Sequence, residues 1–402
     1  MGTKPLAGIK VVEVAMWAFV PVAGGILADM GAEVIKVEPP TGDPIRGLVT
    51  GAARNGGGFD LGWECYNRGK QSITLDLKQE AGRAVLLRLL EDADVLLTNI
   101  LPPARKKLGI DEDSLCPLFP NLIYAVGSAT GRHGPEAHQG GFDAISFWAR
   151  GGISMSLTEP GAAQPVGPPG PAFGDTLGGS MLAGGIAAAI AQRAMTGKAS
   201  TVDVSLLSSA MWGMQRYVSH SVVEDVIAFP RPDKPNNVLV ANYRTADDRF
   251  VALCMLQADK YWARFCEVAG RPELAADPRY ADAALRRTNI DACWAELKAL
   301  FASKTLAEWR AILAQQDGQW EVVQHPGELR FDVQAQANGY IQTIDCEDGR
   351  KLPLVSAPMQ FDGQPCTASR APECGAHSDT ILAALGYDEE AIIDLKVAGV
   401  VF

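Results

Sequence analysis

The stretch Ile9 to Val37, IKVVEVAMWAFVPVAGGILADMGAEVIKV, decides the fold. Ile9–Val14 is a β-rich run and Pro21–Met30 reads as a short helix. Gly31 stops that helix, and Glu33–Val37 is a second strand. Pro at the first helical position and Gly just past the last are the expected punctuation. Strand, helix and strand in so short a span make a parallel βαβ unit. The pattern then repeats. Ser72–Leu77 reads as strand, Gln79–Asp92 as an amphipathic helix and Asp94–Asn99 as strand, followed by helical Asp111–Leu118 and the strand Leu122–Val126. These elements predict an α/β chain with a doubly wound, Rossmann-like sheet, whose ligands lie beyond the carboxyl ends of its strands. Asn99 and the following loop, Ile100–Lys107, fall at such an end. The first βα turn, Ala15–Pro21, carries no GxGxxG, which disfavours a nicotinamide or flavin enzyme. Walker A is missing too.

Further along, the Pro/Gly-rich loop Glu159–Pro171 feeds Phe173-Gly174-Asp175-Thr176-Leu177-Gly178-Gly179. Leu177–Ala194 is almost all small or aliphatic residues and reads as a tightly packed, buried helix. A carboxylate at its mouth is favoured by free N–H groups and the helix dipole. Asp175 is therefore either a helix cap or a nucleophile. Beyond it, Thr201–Leu206 reads as strand and Ser208–Val226 as one long helix.

The bulk properties narrow the partners. A net charge of −11 over 402 residues argues against nucleic-acid binding. Anionic ligands must meet local clusters such as Arg68-Gly69-Lys70 and Arg105-Lys106-Lys107. The 8 cysteines form no CxxC pair and the 5 histidines no HExxH, so a reduced, cytoplasmic protein without a metal is expected. No signal peptide is visible. The longest apolar run, Met181–Ala191, is too short to span a bilayer, so no membrane association is expected.

Phe229–Pro235 marks a linker, followed by a hairpin of Val238–Arg244 and Arg249–Met255 around Ala246-Asp247-Asp248, then several helices. A second linker, His325-Pro326-Gly327, precedes strand-like Gly339–Ile344 and Lys351–Val355, then a short helix, Ser378–Leu385, and a polar-apolar tail. The expected division is 1–228 for a large domain, 229–325 for a smaller α+β domain, and 326–402 for a closing segment.

Several segments together resemble the class III CoA-transferases, a family of formyl-CoA and carnitine CoA-transferases that includes the α-methylacyl-CoA racemases. They are PLAGIKVVEVA, LADMGAEVIKVEPPTGDPIR, NRGKQSITLDLKQEAG, ADVLLTN, FGDTLGGSMLAGGIAAAI, SAPMQFDG and AHSDTILAALGYDEEAI, in order along the chain. The resemblance implies an interlocked homodimer in which residues 326–402 return to the large domain. It implies no permanently bound cofactor, with coenzyme A, acyl-CoA and a carboxylic acid as substrates. Asp175 looks like the family's nucleophile, which passes through an aspartyl-CoA thioester. Gly178 and Gly179 either bring N–H groups to an oxyanion or serve helix packing. Trp17 and Ala18 stand where the family flanks the pantetheine arm. Leu75, Lys78 and Asn99 match its nucleotide contacts, and Lys107 a phosphate-binding base, although exposed lysines are ordinarily solvated.

Two departures matter. In the racemase branch a Gly-His-Asp motif supplies a base, but here the segment is Gly141-Phe142-Asp143. Phenylalanine moves no proton, which speaks against the alternative of racemisation. Asp143 either assists transfer or caps the helix after it. The glycine-rich lid of the formyl-CoA branch is missing between Asn236 and Ala258, so formate or oxalate is not the expected acyl group. The bulky turn Met16, Trp17 and Phe19 suits a more hydrophobic one. A non-catalytic CoA-binding protein is a third reading, disfavoured by the intact Asp175 motif.

Overall fold

The computed structural model describes residues 4–48, 58–227 and 234–402. They fall into two compact units, one of residues up to 229 together with 333–402, the other of residues 230–332. The expected linker at Phe229–Pro235 lies, as far as residue 233, outside the described residues.

The larger unit begins with β1 (Lys10–Val14), α1 (Phe19–Asp29) and β2 (Glu33–Glu38), then α2 (Leu61–Asn67), β3 (Gln71–Thr74) and α3 (Glu80–Glu91). There follow β4 (Val95–Thr98), α4 (Pro102–Leu108), α5 (Glu112–Leu115), β5 (Ile123–Ser128), α6 (Ile153–Leu157), α7 (Phe173–Thr196), β6 (Thr201–Ser205), α8 (Leu206–Gly213) and α9 (Gln215–Glu224). The strands form one sheet in the order β3-β2-β1-β4-β5-β6, every neighbour parallel. The order reverses between β1 and β4, the switch point at which such sheets open a crevice.

Side chains that alternate along the strands feed two cores, one on each face. Val11 of β1 packs with Ile26 and Leu27 of α1 and with Leu182 and Ile186 of α7. Val12 and Val14 point the other way, to Leu86 and Leu90 of α3 and Ile381 and Leu382 near the C-terminus. Each such fully buried aliphatic side chain is worth about 1.5–3 kcal/mol. The C-terminal residues close over β3. Phe402 N donates to Thr74 Oγ1 at 2.8 Å, and Asp76 N donates to Val400 O at 2.9 Å.

Several local readings change. α7 starts at Phe173, which puts Asp175 inside its first turn. Only one face of α7 is buried, because Leu177, Met181 and Met195 are exposed. The loop expected at 100–107 contains α4, which ends in the left-handed residue Gly109 (φ 64°). The long helix expected at Ser208–Val226 is two helices, broken at Met214 (φ −95°, ψ 8°). The tail holds a further helix, Glu389–Val397, whose N-cap Asp388 accepts from Ala391 N.

The smaller unit carries an antiparallel sheet of β7 (Val240–Arg244), β8 (Phe250–Cys254) and β9 (Trp320–Val322). Helices between Ala258 and Leu313 cover it, around a core of Tyr243, Phe265, Phe301 and Trp309. Among the described residues no helix is long and apolar enough to cross a membrane.

Candidate active site

A cavity of about 1010 Å³ opens beyond the carboxyl ends of the six parallel strands. Its wall is made by Met16 and Trp17 after β1, Thr41 after β2, Lys78 after β3, Asn99 after β4, Arg132 after β5 and Leu206 after β6. Asp175 lines the same cavity. The volume lies at the top of the range for small-molecule sites, roughly 300–1,000 Å³, so an extended ligand has room.

Asp175 does not cap α7. The N-cap is Ala172, held at φ 54°, and no side chain closes that end. Among the described residues, none donates a hydrogen bond to the Asp175 carboxylate or pairs with it as an ion. Burial, and then the charge of Asp143, push its pKa up to about 7. A desolvated carboxylate without partners, facing a cavity, is what a nucleophile needs.

Asp143 precedes a π-helical stretch, Ala144–Ala149, but makes no side-chain cap to it. Its Oδ1 accepts instead from Gly174 N at 3.1 Å, one residue before Asp175. Burial raises the Asp143 pKa, against the pull of the Gly174 and Phe173 N–H groups. Gly174 is required by that approach, since a Cβ there would lie 2.3 Å from Phe147 Cγ and 2.4 Å from Asp143 Oδ1. Asp143 lies behind the cavity wall and holds the first turn of α7 in place.

Gly178 and Gly179 lie past that first turn, where helix N–H groups are spent on carbonyls one turn back. A Cβ on Gly178 would meet Phe19 Cε2 at 2.7 Å, and one on Gly179 would meet Phe19 O at 2.7 Å. The packing of α7 on α1 therefore demands glycine at both positions.

The remaining expected residues divide. Trp17, Leu75, Lys78 and Asn99 line the cavity, whereas Ala18 is buried at the N-cap of α1. Asn99 spends both ends of its amide on Met16: Oδ1 accepts from Met16 N at 3.0 Å and Nδ2 donates to Met16 O at 2.6 Å. Trp17 packs edge-on against Phe142, with ring centroids 5.4 Å apart and planes at 89°. Lys107 is exposed on α4 and stands away from the cavity; Arg105 of the same helix lines it.

The sequence placed Arg105 in the basic cluster Arg105-Lys106-Lys107, but the family resemblance pointed to Lys107 as the phosphate-binding base. On a helix, residues two apart point to nearly opposite sides, so Arg105 and Lys107 cannot share one wall. Arg132, also in the wall, pairs with Glu112. Lys78, Arg105 and Arg132 together supply the positive charge that a phosphorylated ligand requires. Among the described residues, no group of three or more His, Cys, Asp or Glu side chains is placed to hold a metal ion.

Comparison with known proteins is in keeping with this geometry. The chain is 33% identical to a (R)-2-hydroxy-4-methylpentanoate CoA-transferase of Clostridioides difficile, over 98% of this chain and 99% of that protein. It is 34% identical to a cinnamoyl-CoA:phenyllactate CoA-transferase of Clostridium sporogenes, over 98% and 96%. The crystal structure of a CAIB/BAIF family protein from Brucella suis superposes with a TM-score of 0.81 at 29% identity, covering 96% of this chain and 100% of that one. Residues 6–378 match CoA-transferase family III. The chain belongs to CoA-transferase family III.

Proposed function

We propose that this enzyme moves CoA from an acyl-CoA to a carboxylic acid through covalent chemistry on Asp175. The observation that carries the reading is the desolvated Asp175 carboxylate without a protein partner in the wall of the large cavity. The carboxylate attacks the donor thioester carbonyl, the C–S bond breaks, and an acyl-aspartyl anhydride forms with release of CoA thiolate. The thiolate attacks the aspartyl carbonyl, giving an aspartyl-CoA thioester and the free donor acid. The acceptor carboxylate then attacks that thioester and expels the thiolate once more. Thiolate attack on the acceptor's acyl carbon yields the new acyl-CoA and restores Asp175.

Each step exchanges one acyl linkage for another, so placement and desolvation carry much of the catalysis. Lys78, Arg105 and Arg132 meet the phosphates of CoA in this reading. Trp17, Phe19, Phe142 and Ile145 line the cavity as apolar bulk, which suits an acyl group with a branched or aromatic side chain. The two bacterial relatives are named for acids of that kind, and both names include a 2-hydroxy acid. Small 2-hydroxy acids are therefore the first acceptors to assay. Phe142, where the racemase branch has a base, keeps the chemistry at the carboxyl carbon. The working form in this reading is a cytoplasmic homodimer.

The test is CoA transfer from cinnamoyl-CoA and from acetyl-CoA to a panel of 2-hydroxy acids, with wild type and Asp175→Asn compared. Transfer lost by at least about 1,000-fold in a folded Asp175→Asn protein supports the reading. Undiminished transfer sinks it.

A further inference from the structure

The turn from β1 into α1 forms one wall of the cavity, yet its strained position is not glycine. Trp17 holds φ 70°, a left-handed conformation that bulky residues avoid. Its surroundings grip it from several sides. Asn99 holds Met16 by both N–H and C=O. Lys36 Nζ donates to Ala15 O at 2.8 Å. Asp43 Oδ1 accepts from Trp17 N at 3.0 Å and from Ile45 N at 3.1 Å.

Asp43 is itself held. Its Oδ2 pairs with Lys36 Nζ at 2.9 Å, and Lys36 bonds Glu13 Oε1 at 3.0 Å. Lys70 Nζ joins from the other side, 2.8 Å from Glu13 Oε2, and donates to Pro21 O and Asn67 Oδ1. The side chains of all four charged residues are 0% exposed. Room for the Glu13 carboxylate exists because α1 has Gly24 against it, where a Cβ would lie 2.0 Å from Oε2. Two carboxylates and two ammonium groups cancel in charge, and burying such a set is a weak source of stability. Its geometry does one specific thing. It delivers a fixed acceptor to Trp17 N–H and a fixed donor to Ala15 C=O.

Trp17 stands edge-on to Phe142, and Phe142 precedes Asp143, which bonds the first turn of α7. Trp17, Phe142 and Asp175 line one cavity. We infer that Asp43 is a positioning residue for acyl selection. Through the Glu13–Lys36–Asp43 chain it fixes Trp17 in its left-handed conformation, and Trp17 with Phe142 forms the wall that recognises a bulky acyl side chain beside Asp175. This rests on Asp175 being the nucleophile.

The experiment is a double-mutant cycle of Asp43→Ala and Trp17→Ala. kcat and KM are measured with cinnamoyl-CoA and with acetyl-CoA, and active enzyme is counted by hydroxylamine trapping at Asp175. Each single variant is expected to lower kcat/KM for cinnamoyl-CoA by about 10- to 100-fold more than for acetyl-CoA. The pair should be no worse than Trp17→Ala alone, because residues acting through one another are not additive. Asp43→Asn keeps the acceptor for Trp17 N–H and should retain the preference. If Asp43→Ala does not fold, Asn99→Ala, which frees Met16, is expected to lower kcat/KM more for cinnamoyl-CoA than for acetyl-CoA. Equal losses for both donors, additive losses, or unchanged selectivity overturn the inference. No trapped Asp175 in wild type, with any donor, would instead overturn the nucleophile reading beneath it.

Discussion

Asp175 is held in a state that the fold makes costly and the proposed reaction makes useful. Burial and Asp143 place its pKa at about 7, so at neutral pH part of the enzyme carries the neutral acid. In the proposed mechanism only the carboxylate attacks, so kcat/KM is expected to fall as pH drops through about 7. Asp143→Asn keeps an acceptor for Gly174 N–H but removes the nearby negative charge. A pH–rate profile of that variant should show its acidic limb moved to lower pH; an unmoved limb would mean that Asp143 does not tune Asp175. Stability follows the same sign. The folded pKa lies above the ordinary 3.8, so folding favours the protonated form. The penalty is absent below about pH 4, grows through the interval up to 7 and is complete above it. Asp175→Asn should therefore be more stable than wild type at pH 8, on the order of 1–3 kcal/mol, and no different near pH 4. Denaturant unfolding at the two pH values checks this. The sequence left Asp175 between cap and nucleophile because the helix start could not be read to within one turn.

At the scale of elements, most strands and helices were legible because each carries its own local signal. The strands are short apolar runs, and α3 alternates at helical spacing between Gln79 and Asp92. What escaped were elements whose signals conflict. Pro102-Pro103 reads as loop, but proline is tolerated in a first helical turn, and Gly109 was the matching stop. Gly213, at the end of α8, was the overlooked mark of the break before α9. The helix bears on the site: the family resemblance points to Lys107, whereas α4 turns Arg105 to the cavity. Arg105→Gln is expected to raise the KM for acyl-CoA about tenfold, as loss of a charge-assisted contact should. Lys107→Gln, on the exposed face, should change it about twofold or less. Initial-rate kinetics with one donor decide between them, and the reverse ranking would return the phosphate contact to Lys107.

For the whole molecule, the doubly wound parallel sheet followed from the βαβ rhythm, but the buried Glu13–Lys36–Lys70–Asp43 cluster did not. Its members lie on different elements, and nothing local marks a lysine in a strand as buried and paired. The exposed surface carries another consequence. α9 has no buried residue, and Trp212, Val222 and Val223 are left open, Val223 at 82%. The homodimer proposed above would give these exposed apolar side chains a partner to pack against. Light scattering behind size exclusion should give twice the chain mass, and Val222→Glu with Val223→Glu should weaken that association. A monomer at micromolar wild-type protein would contradict the homodimer.

The central claim is that Asp175 becomes covalently joined to substrate. Its most direct test is mass spectrometry of the enzyme after incubation with cinnamoyl-CoA, with hydroxylamine added to trap activated carboxyl groups. The account predicts a CoA-sized adduct or a hydroxamate on the peptide holding Asp175, absent from Asp175→Asn. Full CoA transfer with an unmodified Asp175 peptide at every time point would contradict it.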